Sequence, residues 1–159
     1  MGRFAALFAK SSALFDIITP MIELDNRTTL NIDTKTIETI ADSLTDKEIE
    51  LIITDSKEMR EINKEHRNID KDTDVLSFPY QEMPLSPLGS IVVSSSYLEE
   101  NSKEFGHSIN DELALLFIHG MLHLLGYDHE IDNGEMRAKE AELIEKFDLP
   151  KSLIVRTQG

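Results

Sequence analysis

Apolar positions along residues 21–150 alternate between strand-like and helical spacing at first, and later follow helical spacing alone. The segments IELIIT, ending at Thr54, and SIVVS, ending at Ser94, have the β-branched runs of buried strands. MIELDNRT and TLNI predict a short extended stretch, interrupted at Asp25 and Asn26, and DVLSF predicts a further strand. The first half of the chain therefore contributes the strands of the fold.

Helical spacing occurs between these strands. Asp55 or Ser56 is expected to cap a helix that ends near His66. Asp33 is expected to cap an earlier helix with the apolar positions Ile37, Ile40, Ala41 and Leu44. RNIDKDT predicts a polar loop, and PYQEMPLSP predicts another because its three prolines disfavour a hydrogen-bonded ladder.

The second half is helical. Asn110 is expected to cap the helix DELALLFIHGMLHLL, which Gly126 ends, and GEMRAKEAELIEKF predicts a last helix before Pro150. One apolar stripe of the longer helix is expected to face the core: Leu115, Ile118, Leu122 and Leu125. Strands flanked and followed by helices predict an α+β fold, a mixed α/β layer protein.

Residues 1–20 differ from the rest of the chain, being poor in acids and rich in Phe, Ala and Leu. Their apolar run FAALFA ends at Lys10 and is too short for a signal peptide or for a membrane span of about 20 apolar residues. The spacing favours a short amphipathic helix, and the alternative is that Met21 is the true start. We treat residues 1–20 as an N-terminal extension of unknown role and residues 21–159 as a single domain.

The composition excludes several kinds of site. The 159 residues contain no cysteine, so a disulfide framework, a thiolate metal site and a cysteine nucleophile are all excluded. A formal net charge of -14 and a pI near 4.7 argue against a broad basic surface for nucleic acid. A transition-metal site must therefore use histidine and carboxylate, and if RNA is the partner, the contact must be local.

Three histidines stand in the segment HGMLHLLGYDH. His119 and His123 are four residues apart on a predicted helix, a rise of about 6 Å in nearly the same direction, so their imidazoles converge. Gly126 allows a left-handed exit from the helix, which returns His129 as a third ligand. A single histidine on a helix is usually an ordinary core or surface residue. Three with this spacing favour a catalytic zinc site with an open fourth position.

Gly120 distinguishes the segment from the zinc peptidase motif HExxHxxGxxH, in which a glutamate follows the first histidine. Peptide hydrolysis needs that base to carry a proton to a poor amine leaving group. Phosphodiester cleavage needs it less, because zinc stabilises the leaving alkoxide and lowers the pKa of water to about 7. Gly120 is therefore less damaging to a nuclease than to a peptidase, and we expect it to leave space beside the ion. Asp128 is either an orienting residue or weak base, or a solvated turn residue.

The segment resembles the signature of the YbeY family of metal-dependent endoribonucleases, which are bacterial and organellar rRNA maturation factors. HRNIDKDTDVLSFP resembles the family's arginine loop and following strand, and LGSIVVS resembles its next strand. The resemblance covers roughly residues 21–148. It implies a central sheet of about four strands flanked by helices, and a metal-binding helix that carries the HxxxH pair. It also implies one zinc ion in a cleft and a single-stranded RNA substrate, notably the 3′ end of small-subunit rRNA.

The resemblance assigns roles at individual positions. His119, His123 and His129 match the metal ligands, and Arg67 matches the family's functional arginine. A guanidinium suits that role because it can meet two equatorial oxygens of a phosphoryl transition state at once. The alternative for Arg67 is a surface ion pair with an acid such as Asp70.

Two positions depart from the family pattern. Ser90 stands in LGSI where members commonly carry LGDI, so any role of that acid in orienting a ligand or the loop is in doubt. His66 precedes Arg67 where an aromatic residue is frequent; it either adds a hydrogen-bond donor at the cleft or only complements the end of its helix. His107 lies in a polar loop and is expected to be solvent-exposed.

The sequence thus predicts a zinc-dependent, single-strand-specific endoribonuclease in rRNA processing and ribosome maturation. We expect it in the cytoplasm, with the ribosome or ribosomal proteins as partners and without membrane contact. Other divalent transition metals also suit three imidazoles. Two alternatives stay open, a metallopeptidase-like hydrolase, which the missing glutamate disfavours, and a non-enzymatic zinc protein associated with the ribosome. The oligomeric state is not predicted.

Overall fold

The computed structural model describes residues 21–81, 83–151 and 153. In chain order the elements are β1 (Ile22–Asn26), α1 (Lys35–Leu44), β2 (Ile49–Thr54), α2 (Ser56–Arg67), β3 (Val75–Pro79), β4 (Gly89–Ser94), α3 (Ser95–Phe105), α4 (Ile109–Leu124) and α5 (Glu135–Lys146). The predicted α+β fold, with a central sheet of about four strands and flanking helices, is confirmed. The expected N-terminal extension, residues 1–20, lies outside the described residues.

The four strands form one mixed sheet in the order β1-β2-β4-β3. β1, β2 and β4 are parallel, and β3 pairs with β4 in the antiparallel sense at the edge. Pro79 is the last residue of β3, opposite Gly89, so the expectation that all three prolines lie outside the ladder is wrong at this residue. The end of an edge strand is where a ladder tolerates a proline.

Helix α2 follows the sequence signals closely. Asp55 is its N-cap and accepts a hydrogen bond from the backbone N–H of Glu58 at 2.8 Å. Asn68 ends the helix in the left-handed conformation, with φ of 59°. This end places Arg67 on the last turn, next to the loop that leads to the edge strand.

Helix α4 begins earlier than predicted. Ser108 is its N-cap and accepts a hydrogen bond from the N–H of Asp111 at 3.0 Å. Asn110 lies inside the helix, and its side-chain oxygen accepts a hydrogen bond from the N–H of Asp33 at 3.1 Å. The expected cap at Asn110 is therefore wrong, because that amide instead joins α4 to the chain before α1.

Helix α4 is buried on almost every side. It contacts β3, β4, α1, α3 and α5. Its buried residues therefore extend well beyond the predicted stripe and include Leu113, Phe117, Gly120, Met121 and Leu124. Leu125, the last member of that stripe, follows the helix and is 37% exposed. A smaller apolar cluster of Met59, Leu76 and Val92 lies under α2 on the opposite face of the sheet.

The imidazole of His107 is buried, contrary to the sequence expectation. Its side chain is 6% exposed, and Nδ1 lies 2.8 Å from Oε2 of Glu112, whose side chain is fully buried. A carboxylate inside the core requires a polar partner, and His107 supplies one. Among the described residues, no helix is long and apolar enough to cross a membrane.

Candidate metal centre

The end of α4 and the loop that follows bring three imidazoles together. One ring nitrogen from each of His119, His123 and His129 lies within 4.8 Å of the others. The Nε2 atoms of His119 and His123 are 3.2 Å apart. Zinc binds imidazole nitrogen at about 2.0–2.1 Å, so nitrogens this close can share one ion.

Gly126 produces the turn that returns the third histidine. Its φ is +100°, a conformation that side chains disfavour, as the sequence predicts. The N–H of Gly126 donates to the carbonyl of His123 at 3.0 Å, and the N–H of Tyr127 donates to that of Leu122 at 2.9 Å. These bonds satisfy carbonyls at the end of α4 while the chain reverses toward His129.

The Nδ1 atoms of the three rings differ in their surroundings. Nδ1 of His123 donates to the carbonyl oxygen of Tyr127 at 3.0 Å, since that oxygen can only accept. Nδ1 of His119 lies 3.5 Å from Oε1 of Glu140. Nδ1 of His129 is buried and has no hydrogen-bond partner among the described residues. The first two contacts leave Nε2 of His119 and His123 directed at a common point.

The protonation state of His123 suits metal binding. Burial lowers the pKa of His123, and the neighbouring His119 lowers it further. An imidazole with a lowered pKa is neutral near pH 7, and only a neutral imidazole has a lone pair for a metal. The donor set therefore fits a divalent transition metal.

The three histidines line a cleft of about 570 Å³. Its other lining residues come from the end of α2, the loop before β3, β3 itself and the loop after α4, namely Arg67, Thr73, Asp74, Val75, Ser77, Gly126, Tyr127, Asp128 and Glu130. Of these described residues, only Arg67 carries a permanent positive charge, against three carboxylates. Without a metal the cleft is therefore electrostatically unfavourable for phosphate.

Arg67 shares this cleft with the histidines although 52 positions separate it from His119 in the sequence. Asp70, the acid considered as its alternative partner, instead accepts a 2.8 Å hydrogen bond from Nε of Arg60. Arg67 is exposed and forms no ion pair with any carboxylate in the described ranges. Its guanidinium is thus available to an anion in the cleft.

Gly120 faces the sheet and not the cleft. A Cβ at this position would lie 3.0 Å from Cγ2 of Ile91 and 3.1 Å from Oγ of Ser77. The expectation that Gly120 leaves space beside the ion is therefore wrong, because sheet side chains fill that space. The glycine instead allows α4 to approach β3 and β4 closely. A glutamate here would overlap the sheet.

Ser90 lies on the face of the sheet opposite α4. Its side chain points away from that of the next residue, Ile91, which faces Gly120. Ser90 is 6% exposed. Its hydroxyl donates to Oε1 of Glu50 at 2.6 Å, and the hydroxyl of Tyr80 also binds that carboxylate. Glu50 is the direct neighbour of Ser90 across the β2–β4 ladder. A carboxylate is thus present beside position 90, but it is supplied by β2 and lies away from the histidines.

Asp128 lines the cleft, and His66 is not among its described lining residues. The Asp128 carboxylate accepts a hydrogen bond from the N–H of Glu130 at 3.0 Å, as a turn residue does, and Asp128 also lines the cleft. His66 is exposed, and its ring centroid lies 5.1 Å from that of Phe78. His66 is not among the described residues that line the cleft.

Glu140 is the residue of this site that sequence reasoning missed. It lies on α5 with a side chain that is 4% exposed. Asp132 fixes the start of α5 by accepting hydrogen bonds from the N–H groups of Gly134 and Met136 at 2.8 and 2.9 Å. The available signal was an acid on the apolar face of the last helix, at helical spacing from Met136 and Ile144.

Most of the chain matches a known family. The profile described as Endoribonuclease YbeY matches residues 18–148. A protein of Sulfurimonas denitrificans named endoribonuclease YbeY is 71% identical over 139 residues, which are 87% of this chain and 100% of that protein. A Helicobacter pylori protein of the same name is 55% identical and covers 87% of this chain and 99% of its own length.

A solved structure agrees with these matches. A Thermotoga maritima protein, determined in solution, superposes with a TM-score of 0.55 at 31% sequence identity. The match covers 79% of this chain and 88% of the other. Sequence and fold lead to the same conclusion, and the chain belongs to the YbeY endoribonuclease family.

Proposed function

We propose that this chain is a zinc-dependent endoribonuclease that cuts single-stranded RNA during maturation of the 3′ end of small-subunit rRNA. It acts in the cytoplasm, on or near the ribosome. Membership of the YbeY family supports the nuclease activity. The observation that carries the metal dependence is the convergence of three imidazole nitrogens within 4.8 Å in the cleft that Arg67 also lines.

The donor set favours zinc. Three neutral imidazoles and no thiolate are typical of a catalytic zinc centre in which a fourth position stays open. The half-buried histidines line the cleft, so that position is accessible to substrate. When bound, zinc supplies a Lewis acid for a phosphoryl oxygen.

Arg67 provides the complementary positive charge. Its planar guanidinium can donate two parallel hydrogen bonds to the non-bridging oxygens of one phosphate, which lysine cannot do. Transition-state charge develops on those oxygens, so the contact strengthens as the reaction proceeds. Because Arg67 is not held by Asp70, no ion pair in the described ranges must break before it binds RNA.

The charge of the cleft makes RNA binding dependent on the metal. Asp74, Asp128 and Glu130 outnumber Arg67, and the whole chain has a formal net charge of -14. Affinity for bare RNA is therefore low, and specificity comes from presentation of a single strand at the cleft, in keeping with a ribosomal context. A recessed cleft also receives one flexible strand more easily than a rigid duplex.

The packing around Gly120 is a second argument against the peptidase alternative. The position where zinc peptidases carry their glutamate packs against Ile91 and Ser77, so a base has no room there. A non-enzymatic zinc protein remains the competing hypothesis, and the experiment below distinguishes it.

The test is metal content and cleavage measured on the same sample. Protein purified without a metal-affinity tag is analysed by mass spectrometry for metals and then mixed with a single-stranded RNA, with and without chelator. About one zinc per chain and chelator-sensitive cleavage, absent for the same sequence as a duplex, are the expected results. Zinc-loaded protein that cleaves neither free RNA nor precursor rRNA in immature small subunits contradicts the proposal.

A further inference from the structure

Glu140 is a buried acid on the core-facing side of α5. Its side chain is 4% exposed, and the residue lies among Met136, Leu143 and Ile144, which are at most 1% exposed. Oε1 of Glu140 lies 3.5 Å from Nδ1 of His119. The carboxylate therefore stands directly behind one of the three clustered imidazoles.

The surroundings of Glu140 compensate its charge poorly. In the described ranges, neither a lysine nor an arginine lies within ion-pair distance of it, and its one ion-pair contact is with His119. A buried carboxylate without a positive partner is costly, and a neutral imidazole offsets only part of that cost. A divalent cation on the opposite nitrogen of His119 would supply the missing charge, because it polarises the Nδ1–H group toward the carboxylate.

We infer that Glu140 is a positioning residue of the metal centre, which accepts a hydrogen bond from Nδ1–H of His119 and so presents Nε2 to the ion. This inference rests on the metal dependence proposed above. A movement of about half an ångström brings the pair to an ordinary hydrogen-bond length. The carboxylate fixes the tautomer of His119, makes its imidazole a stronger donor and offsets part of the charge of the ion.

The three imidazoles are not equivalent in this respect. His123 is oriented by a neutral backbone carbonyl, that of Tyr127, and Nδ1 of His129 has no partner within the described part of the chain. Among the described residues, Glu140 is thus the one carboxylate within 4 Å of a ring nitrogen of the three histidines. Its removal should affect metal affinity more than removal of any other single carboxylate of α5.

The experiment compares zinc dissociation constants, measured by competition with a chromophoric chelator, for the parent chain, Glu140→Gln and Glu140→Ala. The matched control is Glu145→Gln, which removes an exposed acid from the same helix. We expect both Glu140 variants to bind zinc about 10-fold to 100-fold more weakly, and the control to match the parent. Equal affinity in all four proteins overturns the inference.

A spectroscopic readout separates positioning from a structural role. In the metal-free parent, where no ion fixes the tautomer, ¹⁵N shifts of the His119 ring should show a protonated Nδ1. Glu140→Gln keeps an acceptor oxygen and should keep this tautomer. Glu140→Ala should show a mixture of the two neutral tautomers of His119. Metal-free Glu140→Gln should be at least as heat-stable as the metal-free parent, since it buries no charge. A large drop in its melting temperature, with no change in tautomer for either variant, overturns the positioning role.

The outcome for Glu140 is distinguishable from that for the nuclease. If the parent binds zinc but cuts no RNA, the proposed function fails, and the affinity series still decides the role of Glu140. If the parent binds no zinc, both fail.

Discussion

Ser77 donates a hydrogen bond of 3.2 Å to the carbonyl oxygen of Gly120, and this bond joins the edge strand β3 to the helix that carries His119 and His123. The helix can come this close because position 120 has no side chain. The contact aligns the strand and the helix that form two walls of the cleft. The glycine of the histidine motif is therefore a packing residue.

Gly120→Glu should destabilise the fold. The new Cβ would lie 3.0 Å from Ile91, and overpacking of this kind costs about 1–3 kcal/mol before the cost of burying a charge is added. Urea denaturation should show a lower midpoint than the parent. Ala138→Glu, which adds the same side chain at an exposed helical position, should change the midpoint little. A variant of parental stability that also cleaves peptides would contradict the packing role.

His123→Ala should abolish zinc binding and RNA cleavage without unfolding the chain. The side chain is half-buried at the cleft, and the apolar core under α4 does not depend on it. Metal analysis should fall from about one zinc per chain to a trace. Circular dichroism should keep the parental helical signal; loss of that signal would favour the non-enzymatic, structural zinc hypothesis.

Arg67→Ala should keep zinc and lose turnover. Removal of a single group that stabilises transition-state charge typically lowers kcat by about 100-fold or more. Arg67→Lys should recover only part of the rate, because an ammonium lacks the two-pronged geometry. The matched control is Arg60→Ala, which removes an arginine of the same helix that is paired with Asp70. Cleavage by Arg67→Ala at the parental rate would show that the catalytic assignment is wrong.

The stability of the sheet edge near β1 should depend on pH through Glu58. A hydrogen bond from the Thr54 hydroxyl, and next an ion pair with Arg27 at 2.9 Å, lower the pKa of Glu58 from its ordinary value of 4.5. A carboxyl whose pKa is lower in the folded state stabilises the fold above its unfolded pKa. That stabilisation is lost as the pH falls through the folded value.

The comparison that tests this is Glu58→Gln against the parent in thermal melts from pH 7 to pH 3. The parent should be the more stable protein at pH 7, and the difference should shrink below about pH 4.5. Glu61→Gln, an exposed acid on the same helix, should show no comparable trend. A difference that stays constant over the whole range would contradict the role of the charge.

Local features of the site could be predicted from the sequence because they depend on short spacings. His119 and His123 share a helix face, and Gly126 has the left-handed conformation that its position after the helix requires. The strands ending at Thr54 and Ser94 were predicted for the same reason, since β-branched runs are a local signal.

Features that depend on tertiary packing could not be predicted. The apolar stripe on α4 did not reveal that other elements pack against this helix on almost every side. The sequence therefore predicts space beside the ion at Gly120, whereas this residue faces the sheet. His107 was expected at the surface because its neighbours in sequence are polar, while its actual partner is the buried Glu112. The position of Arg67 beside the histidines follows from the sheet order, and only the family resemblance indicated it beforehand.

The clustered histidines and Glu140 all lie within residues 119–140, whereas Arg67 reaches them only after β2, β4 and β3 have paired. Contacts of short sequence separation close early in folding, and contacts across a mixed sheet close late. We therefore expect zinc to bind α4, α5 and the loop between them before Arg67 reaches the cleft. The ion should then speed refolding in addition to its role in the folded enzyme. Stopped-flow refolding at the same rate with and without zinc would show that the metal enters only at the end.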